Sequence, residues 1–205
     1  MSTPVDVVVL AKAPIAGLAK TRLIPALGAR GAARLQRRFT LRALGTALRS
    51  EVGPVHLYCA PDTQHRFFRA LARCGQVSLQ SQAPSDLGER MRSALMLHHL
   101  SRPCILIGTD CPALTPQHLK RAAHVLISGQ DAVFVPAEDG GYVLIGLARP
   151  VPGLFDGVNW STPFVMDQTR QRLLLAHATW QEPAILWDVD TPSDLARLTQ
   201  LNEKI

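Results

Sequence analysis

The sequence predicts an α/β fold, a three-layer α/β/α sandwich around a mostly parallel sheet, in a single domain over residues 1–205. Short apolar runs rich in Val, Ile and Leu alternate along the chain with longer segments of helical periodicity. That alternation is the pattern of strand–helix–strand units. Two helix starts are marked by Thr followed by Pro, at Thr115-Pro116, where Thr caps and Pro fills the first turn, and at Thr191-Pro192. The composition is that of a folded globular chain, 47% hydrophobic and 19% charged, and 205 residues suffice to bury a core.

In order, Val5–Leu10 is a continuous run of the kind buried on both faces of a sheet. Ala26–Ser50 is helical, with Leu35, Phe39, Ala43 and Ala47 on one face. Val55–Ala60 is a strand, Thr63–Cys74 a helix, Val77–Gln80 a short strand and Leu87–Leu100 a helix. Cys104–Ile107 is a strand ending at Gly108, and the helix from Thr115-Pro116 runs to about Ser128. Ala132–Val135 and Tyr142–Leu147 are strands separated by Glu138-Asp139-Gly140-Gly141, a strong hairpin signal. Thr162–His177 is helical, Ile185–Val189 is a last strand, and Thr191-Pro192 opens a terminal helix. No repeat or linker interrupts this series. In such sheets ligands bind at the carboxyl ends of strands, near a switch in strand order.

Charge and composition narrow the function. The net charge is +6, split as 14 Lys+Arg against 5 Asp+Glu in residues 1–100 (+9) and 8 against 11 in residues 101–205 (−3). Arg30, Arg34, Arg37, Arg38, Arg42 and Arg49 supply much of the basic excess, and helical spacing puts most of them on one solvated face. Aromatics are only 5% and do not interleave with the cations as base-stacking platforms do, so nucleic acid is not expected as a partner. No apolar run reaches bilayer length, and Asp6 with no leading basic cluster argues against a secretory signal, so a cytoplasmic protein is expected. Cys59, Cys74, Cys104 and Cys111 form no C-x-x-C pair and read as reduced thiols, with no activating His near Cys111 in sequence. His98 and His99 are adjacent on a helix and point apart, and no His–carboxylate spacing recurs among the histidines.

Four loops follow predicted strands and open on one edge of the sheet. Ala11–Leu23 holds Lys12, Gly17, Lys20 and Arg22 between a buried strand and a helix, a setting that suits a di- or triphosphate. It is not a P-loop, because Ala19 stands where that motif has Gly before Lys. Ile107–Pro112 presents Asp110 just past a strand, placed to hold Mg²⁺ or Mn²⁺ with phosphate oxygens, or else to serve as a loop or cap residue. Pro136–Tyr142 carries Asp139 at a glycine turn, a candidate acceptor-side base. In Trp187–Pro192, Asp190 reads as a cap or turn residue; Asp188 alternates with it across Val189, so at most one should face the site. Ser161 or Thr162 reads as the N-cap of the next helix.

Taken together, Ala11–Leu23, Gln82–Met91, Ile107–Pro112, Pro136–Leu147, Trp160–Thr162 and Asp188–Leu195 resemble, in order, the motifs of a bacterial family of small glycosyltransferase-like proteins associated with arsenosugar biosynthesis. The resemblance spans almost the whole chain. Ser85 replaces the family's usual Gly, and the Ile107–Pro112 segment has one carboxylate rather than D-x-D. The resemblance implies a Rossmann-like nucleotide-diphospho-sugar transferase (glycosyltransferase-A) fold. It implies nucleotide and phosphate contacts from Lys12, Gly17, Lys20, Arg22, Asp86 and Gly88, and a divalent metal, Mg or Mn, on Asp110 and Asp188. It puts Gly140, Gly141, Tyr142, Trp160 and Thr162 on the side of the donor sugar and acceptor, with Asp139 catalytic. The implied partners are a nucleotide or nucleotide sugar and a small-molecule acceptor. Lys20–Leu23 equally resembles the first loop of the molybdenum-cofactor and phospholactate guanylyltransferases, which share this fold. A nucleotidyltransferase that releases pyrophosphate, or a non-catalytic nucleotide-binding module, are the alternatives.

Overall fold

The computed structural model describes residues 4–99 and 102–200. Leu100, where the sequence ends the third helix, lies outside them, as does Met1. Among the described residues one sheet of seven strands forms the middle layer. In chain order the strands are β1 Asp6–Lys12, β2 Val55–Ala60, β3 Ser78–Ser81, β4 Cys104–Ile107, β5 Ala132–Pro136, β6 Tyr142–Leu147 and β7 Trp180–Gln181. Their spatial order is β3-β2-β1-β4-β6-β5-β7, and only β6 runs against its neighbours. After β1 the chain steps outward to β2 and β3, then returns to the other side of β1 as β4. The switch point therefore lies between β1 and β4, where a ligand crevice is expected.

The helices are α1 Ile24–Ser50, α2 Arg66–Ala72, α3 Leu87–His99, α4 Pro116–Ile127, α5 Val165–Leu175 and α6 Pro192–Gln200. Strand alternation decides which helix covers which face. Val7, Val9 and Ala11 of β1 pack on Ala43, Leu44 and Leu119, on the α1 and α4 side. Val8, Tyr58 and Leu106 point the other way, onto Met91, Leu95 and Leu173, on the α3 and α5 side. This is the three-layer sandwich the alternation predicts.

α1 is preceded by a 3-10 turn, Thr21–Leu23, and is kinked at Gly28, whose φ of 68° no other residue type adopts cheaply. Leu35, Phe39, Ala43 and Ala47 are buried, while Arg30, Arg34, Arg37, Arg38 and Arg49 are exposed. The basic run is a solvated helix face.

The end of the chain differs from the sequence expectation. Ile185–Val189 is not a strand: only Leu186 bridges, to Ala137, and Ile185 is 67% exposed. Pro183 has no N–H to donate just before it, and a continuous ladder does not form. The edge position goes instead to Trp180–Gln181, paired parallel to β5. Among the described residues no helix is long and apolar enough to cross a membrane.

Candidate functional site

A cleft of about 640 Å³ opens at the carboxyl ends of β1 and β4. Its wall is built by the loop after β1, the Gly108–Cys111 turn, the β5–β6 hairpin, the segment before α5, and the stretch leading into α6.

Lys20 forms its floor. Its backbone is left-handed (φ 45°, ψ 52°), an uncommon state for a residue with a Cβ, and its carbonyl accepts the Leu23 N–H that closes the 3-10 turn. Ala19 and Leu23 on either side are fully buried, which anchors this conformation. The Lys20 side chain is 3% exposed and passes over the Phe39 ring. Its Nζ donates to the Val189 carbonyl at 2.7 Å and meets Asp110 Oδ1 at 3.1 Å. The same Oδ1 accepts from the Thr109 hydroxyl at 3.0 Å, and Thr109 in turn accepts from the Gln36 amide at 3.1 Å. Gln36 and Thr109 are buried, so the Asp110 carboxylate is oriented from behind by a relay rooted in α1.

The Val189 N–H donates to the Asp110 carbonyl at 2.9 Å, locking the Trp187–Asp190 stretch against the β4 turn. This lock brings both Asp188 and Asp190 into the cleft wall. The alternation argument, which allowed only one of them to face the site, fails because this stretch is not a strand. Asp190 pairs with Arg22, and it is not the cap of α6. Asp194, inside the first turn of α6, reaches back so that its Oδ2 accepts from the backbone N–H groups of Asp190 and Thr191. Burial, then the nearby charges of Asp139, Asp110 and Asp190, push the Asp188 carboxyl up to about 6. The cleft lining holds four carboxylates, Asp110, Asp139, Asp188 and Asp190, and four cations, Lys12, Lys20, Arg22 and Arg90. Asp139 Oδ1 accepts the Gly141 N–H at 2.9 Å, which fixes the hairpin tip.

Lys12, Lys20, Arg22, Asp110, Asp139, Asp188, Gly141, Tyr142, Trp160 and Thr162 all line this cleft. Gly17, Asp86, Gly88 and Gly140 are not among its lining residues. Asp86 accepts the Glu89 N–H at 2.9 Å as a cap of α3, an exposed carboxylate that would repel a phosphate. Gly88 is where the Trp160 ring approaches the backbone; a Cβ there would lie 2.6 Å from its Nε1. Gly140 gives the same close approach to the Pro163 carbonyl. Gly17 is a turn residue at φ 85° with open space around it. Tyr142 reaches the cleft, but it packs edge-on against Phe134 and its hydroxyl meets Met91 Sδ at 3.8 Å; burial raises its pKa far above the usual phenol range. The Thr162 hydroxyl donates to the Asn159 carbonyl at 2.7 Å, and α5 starts at Val165 with Phe164 in the N-cap position, so neither Ser161 nor Thr162 is its N-cap. Burial pushes the Cys111 thiol up to about 12, away from the thiolate form.

Sequence reasoning missed Gln36, Thr109, Gln82 and Arg90 as cleft residues. Gln82 Nε2 donates to the carbonyls of Ala11 and Tyr58, tying the ends of β1 and β2 together. A polar residue inside the apolar face of α1 was the one local signal for Gln36.

Comparison with known proteins follows from this geometry. A family model described as "Uncharacterized protein conserved in bacteria (DUF2064)" matches residues 40–162. A crystal structure from Desulfovibrio desulfuricans G20, provisionally assigned as a nucleotide-diphospho-sugar transferase, superposes with TM-score 0.88 at 30% identity, covering 100% of this chain and 89% of that one. The chain belongs to the DUF2064 family. This DUF2064 chain also shares its fold with CMP:2-keto-3-deoxy-manno-octonic acid synthetase complexed with CTP (TM-score 0.61, 15% identity, 98% of each chain). It shares it too with Rv0371c of Mycobacterium tuberculosis H37Rv, solved with manganese (TM-score 0.56, 20% identity, 98% of this chain and 100% of that one). No curated protein matches the sequence.

Proposed function

We propose that the cleft binds a nucleoside diphosphate sugar with a divalent metal and transfers the sugar to a small-molecule acceptor. The observation that carries this reading is the floor of the cleft: a buried lysine in contact with an oriented aspartate, beneath three further carboxylates. Lys20, Arg22 and Lys12 meet the diphosphate charge. Asp110 and Asp188 are hard oxygen donors, and a carboxyl raised by burial and then by its acidic neighbours is relieved by an incoming cation. They fit Mg²⁺ or Mn²⁺, which in this setting supplies charge neutralisation on the diphosphate leaving group.

In the transfer, the acceptor hydroxyl oxygen forms a bond to the anomeric carbon. The bond from that carbon to the diphosphate oxygen breaks, and its electron pair leaves on the diphosphate. Asp139, anchored at the hairpin tip through one oxygen, takes the hydroxyl proton on the other. Lys20 and Arg22 are placed to hold the departing charge, so positioning and electrostatics do most of the catalysis.

One observation favours a second reading. Three cations arise from a single loop, and the structural neighbours include a synthetase bound to CTP. A nucleotidyltransferase needs such cations for its leaving pyrophosphate. Product analysis with each donor class and a mixed acceptor pool separates the two. Nucleoside diphosphate released from a nucleotide sugar, and lost in Asp139→Asn, supports sugar transfer. Pyrophosphate released from a nucleoside triphosphate overturns it in favour of nucleotidyl transfer.

A further inference from the structure

At the opposite end of β1 from the cleft, roughly 20 Å away at about 3.3 Å per residue, a second polar cluster is buried. Asp6 opens β1, His56 lies on the neighbouring β2, and α3 brings His98 down over both. Alternation explains the placement. Asp6 shares a face with Val8, and His56 with Tyr58, and that face is the one α3 covers.

Asp6 is 6% exposed, an unusual setting for a carboxylate in a strand core. Its Oδ1 and the His56 Nε2 are both buried with no hydrogen-bond partner among the described residues, although such atoms are normally satisfied. They face each other at 3.8 Å, and His98 Nδ1 lies 3.6 Å from Asp6 Oδ2. These separations are too long for hydrogen bonds. Each imidazole faces a different oxygen of the carboxylate, at a separation near the distance of about 3.4 Å between neighbouring ligands of a tetrahedral ion with bonds near 2.1 Å. One ligand atom from each of the three residues lies within 4.8 Å of the others, and among the described residues no other His, Cys, Asp and Glu group converges so closely.

The outer side of the cluster is arranged in the same sense. His56 Nδ1 contacts the Ser78 hydroxyl at 2.7 Å, and His98 Nε2 contacts the Tyr58 hydroxyl at 3.1 Å. Each imidazole therefore engages a hydroxyl with its far nitrogen and turns the near one to Asp6, the usual support for metal-bound histidines. Burial lowers the pKa of both rings, and the neutral imidazole is the form that binds a metal. Among the described residues Arg102 is the cation that faces Asp6, with Nη1 3.7 Å from Oδ1 and its side chain 41% exposed.

We propose that Asp6, His56 and His98 form a binding site for a divalent late transition-metal ion, separate from the cleft. Two imidazoles and one carboxylate select zinc-like ions over Mg²⁺, and a water completes the shell on the open side. The ion would tie β1, β2 and the end of α3 together.

The test uses the full chain stripped with chelator and titrated with ZnCl2 by calorimetry. The expected result is one Zn²⁺ per chain that Mg²⁺ does not match. His56→Gln and His98→Gln weaken it by about 10–100-fold or more, Arg102→Ala strengthens it, and Asp110→Asn leaves it unchanged. Zinc also raises the Tm of the wild type but not of His98→Gln. NMR of the wild type needs no variant, and it should show the His56 and His98 ring signals shifting together at one equivalent of zinc. Zinc bound equally well by His98→Gln, zinc lost in Asp110→Asn, or ring signals that do not move each overturn the site.

Discussion

β1 carries a charged residue near each end, and its two surroundings differ in kind. At the Lys12 end the acids have donors: Asp110 takes Lys20 and Thr109, Asp190 takes Arg22, and Asp139 takes the Gly141 N–H. The unresolved charge is concentrated on Asp188, in a cleft open to a ligand of diphosphate size. At the Asp6 end two imidazoles and a carboxylate are drawn within 4.8 Å of one another. The cleft acids do not converge so tightly. An oxygen-rich, incompletely assembled site needs substrate phosphates to complete a hard cation's shell, whereas a compact nitrogen-rich one can hold a softer cation alone.

The sharpest way to break this comparison is at the cleft floor. Lys20→Ala removes a buried cation in contact with Asp110. Loss of a charge-assisted hydrogen bond costs about 1.5–3 kcal/mol, so nucleoside diphosphate affinity measured by calorimetry should fall roughly 10–150-fold. Zinc binding at the far end should not change. Equal losses at both ends would show a global defect and not a local one.

Asp188 gives a smaller effect of opposite sign on stability. Its carboxyl ionises at about 6 in the folded chain against 3.8 for the free group. Between those values the folded state holds a proton that the unfolded state has released, so stability falls as pH rises through that window. Above about pH 6 the ionised form carries the full cost. Asp188→Asn should therefore raise stability by about 1–2 kcal/mol at pH 7–8, with partial solvent screening included, and by little below pH 4. Thermal melts across pH check it; a gain that persists at pH 3.5 would contradict the charge-crowding account.

The smallest effect belongs to Arg22. Its side chain is 65% exposed and its pair with Asp190 is a surface one. Arg22→Ala should change stability by under about 1 kcal/mol while weakening the nucleotide less than Lys20→Ala does. A larger loss from Arg22→Ala than from Lys20→Ala would move the phosphate site outward along the loop.

Local pattern made much of the fold legible. β2, β4 and β6 begin and end where the apolar runs do, because each is bounded by turn residues. The strand–loop–helix placement of Lys20 and Asp110 was readable for the same reason. Their contact was not, since 90 positions separate them and the return of the chain to the other side of β1 brings them together. The Val189–Asp110 hydrogen bond, which turns Asp190 into the cleft, is likewise a long-range event that alternation cannot foresee. The far-end cluster left even less trace. Asp6, His56 and His98 follow no ligand spacing, and two parallel strands and a covering helix assemble them from distant segments.

The central claim is that the cleft binds a nucleoside diphosphate compound through a metal held by Asp110. The most direct measurement is calorimetry of a nucleoside diphosphate against the wild type and Asp110→Asn, each with and without Mn²⁺. Tightening by Mn²⁺ in the wild type, absent from a folded Asp110→Asn, is the predicted result. The full Mn²⁺ effect retained in Asp110→Asn, or no Mn²⁺ effect in the wild type, would contradict it.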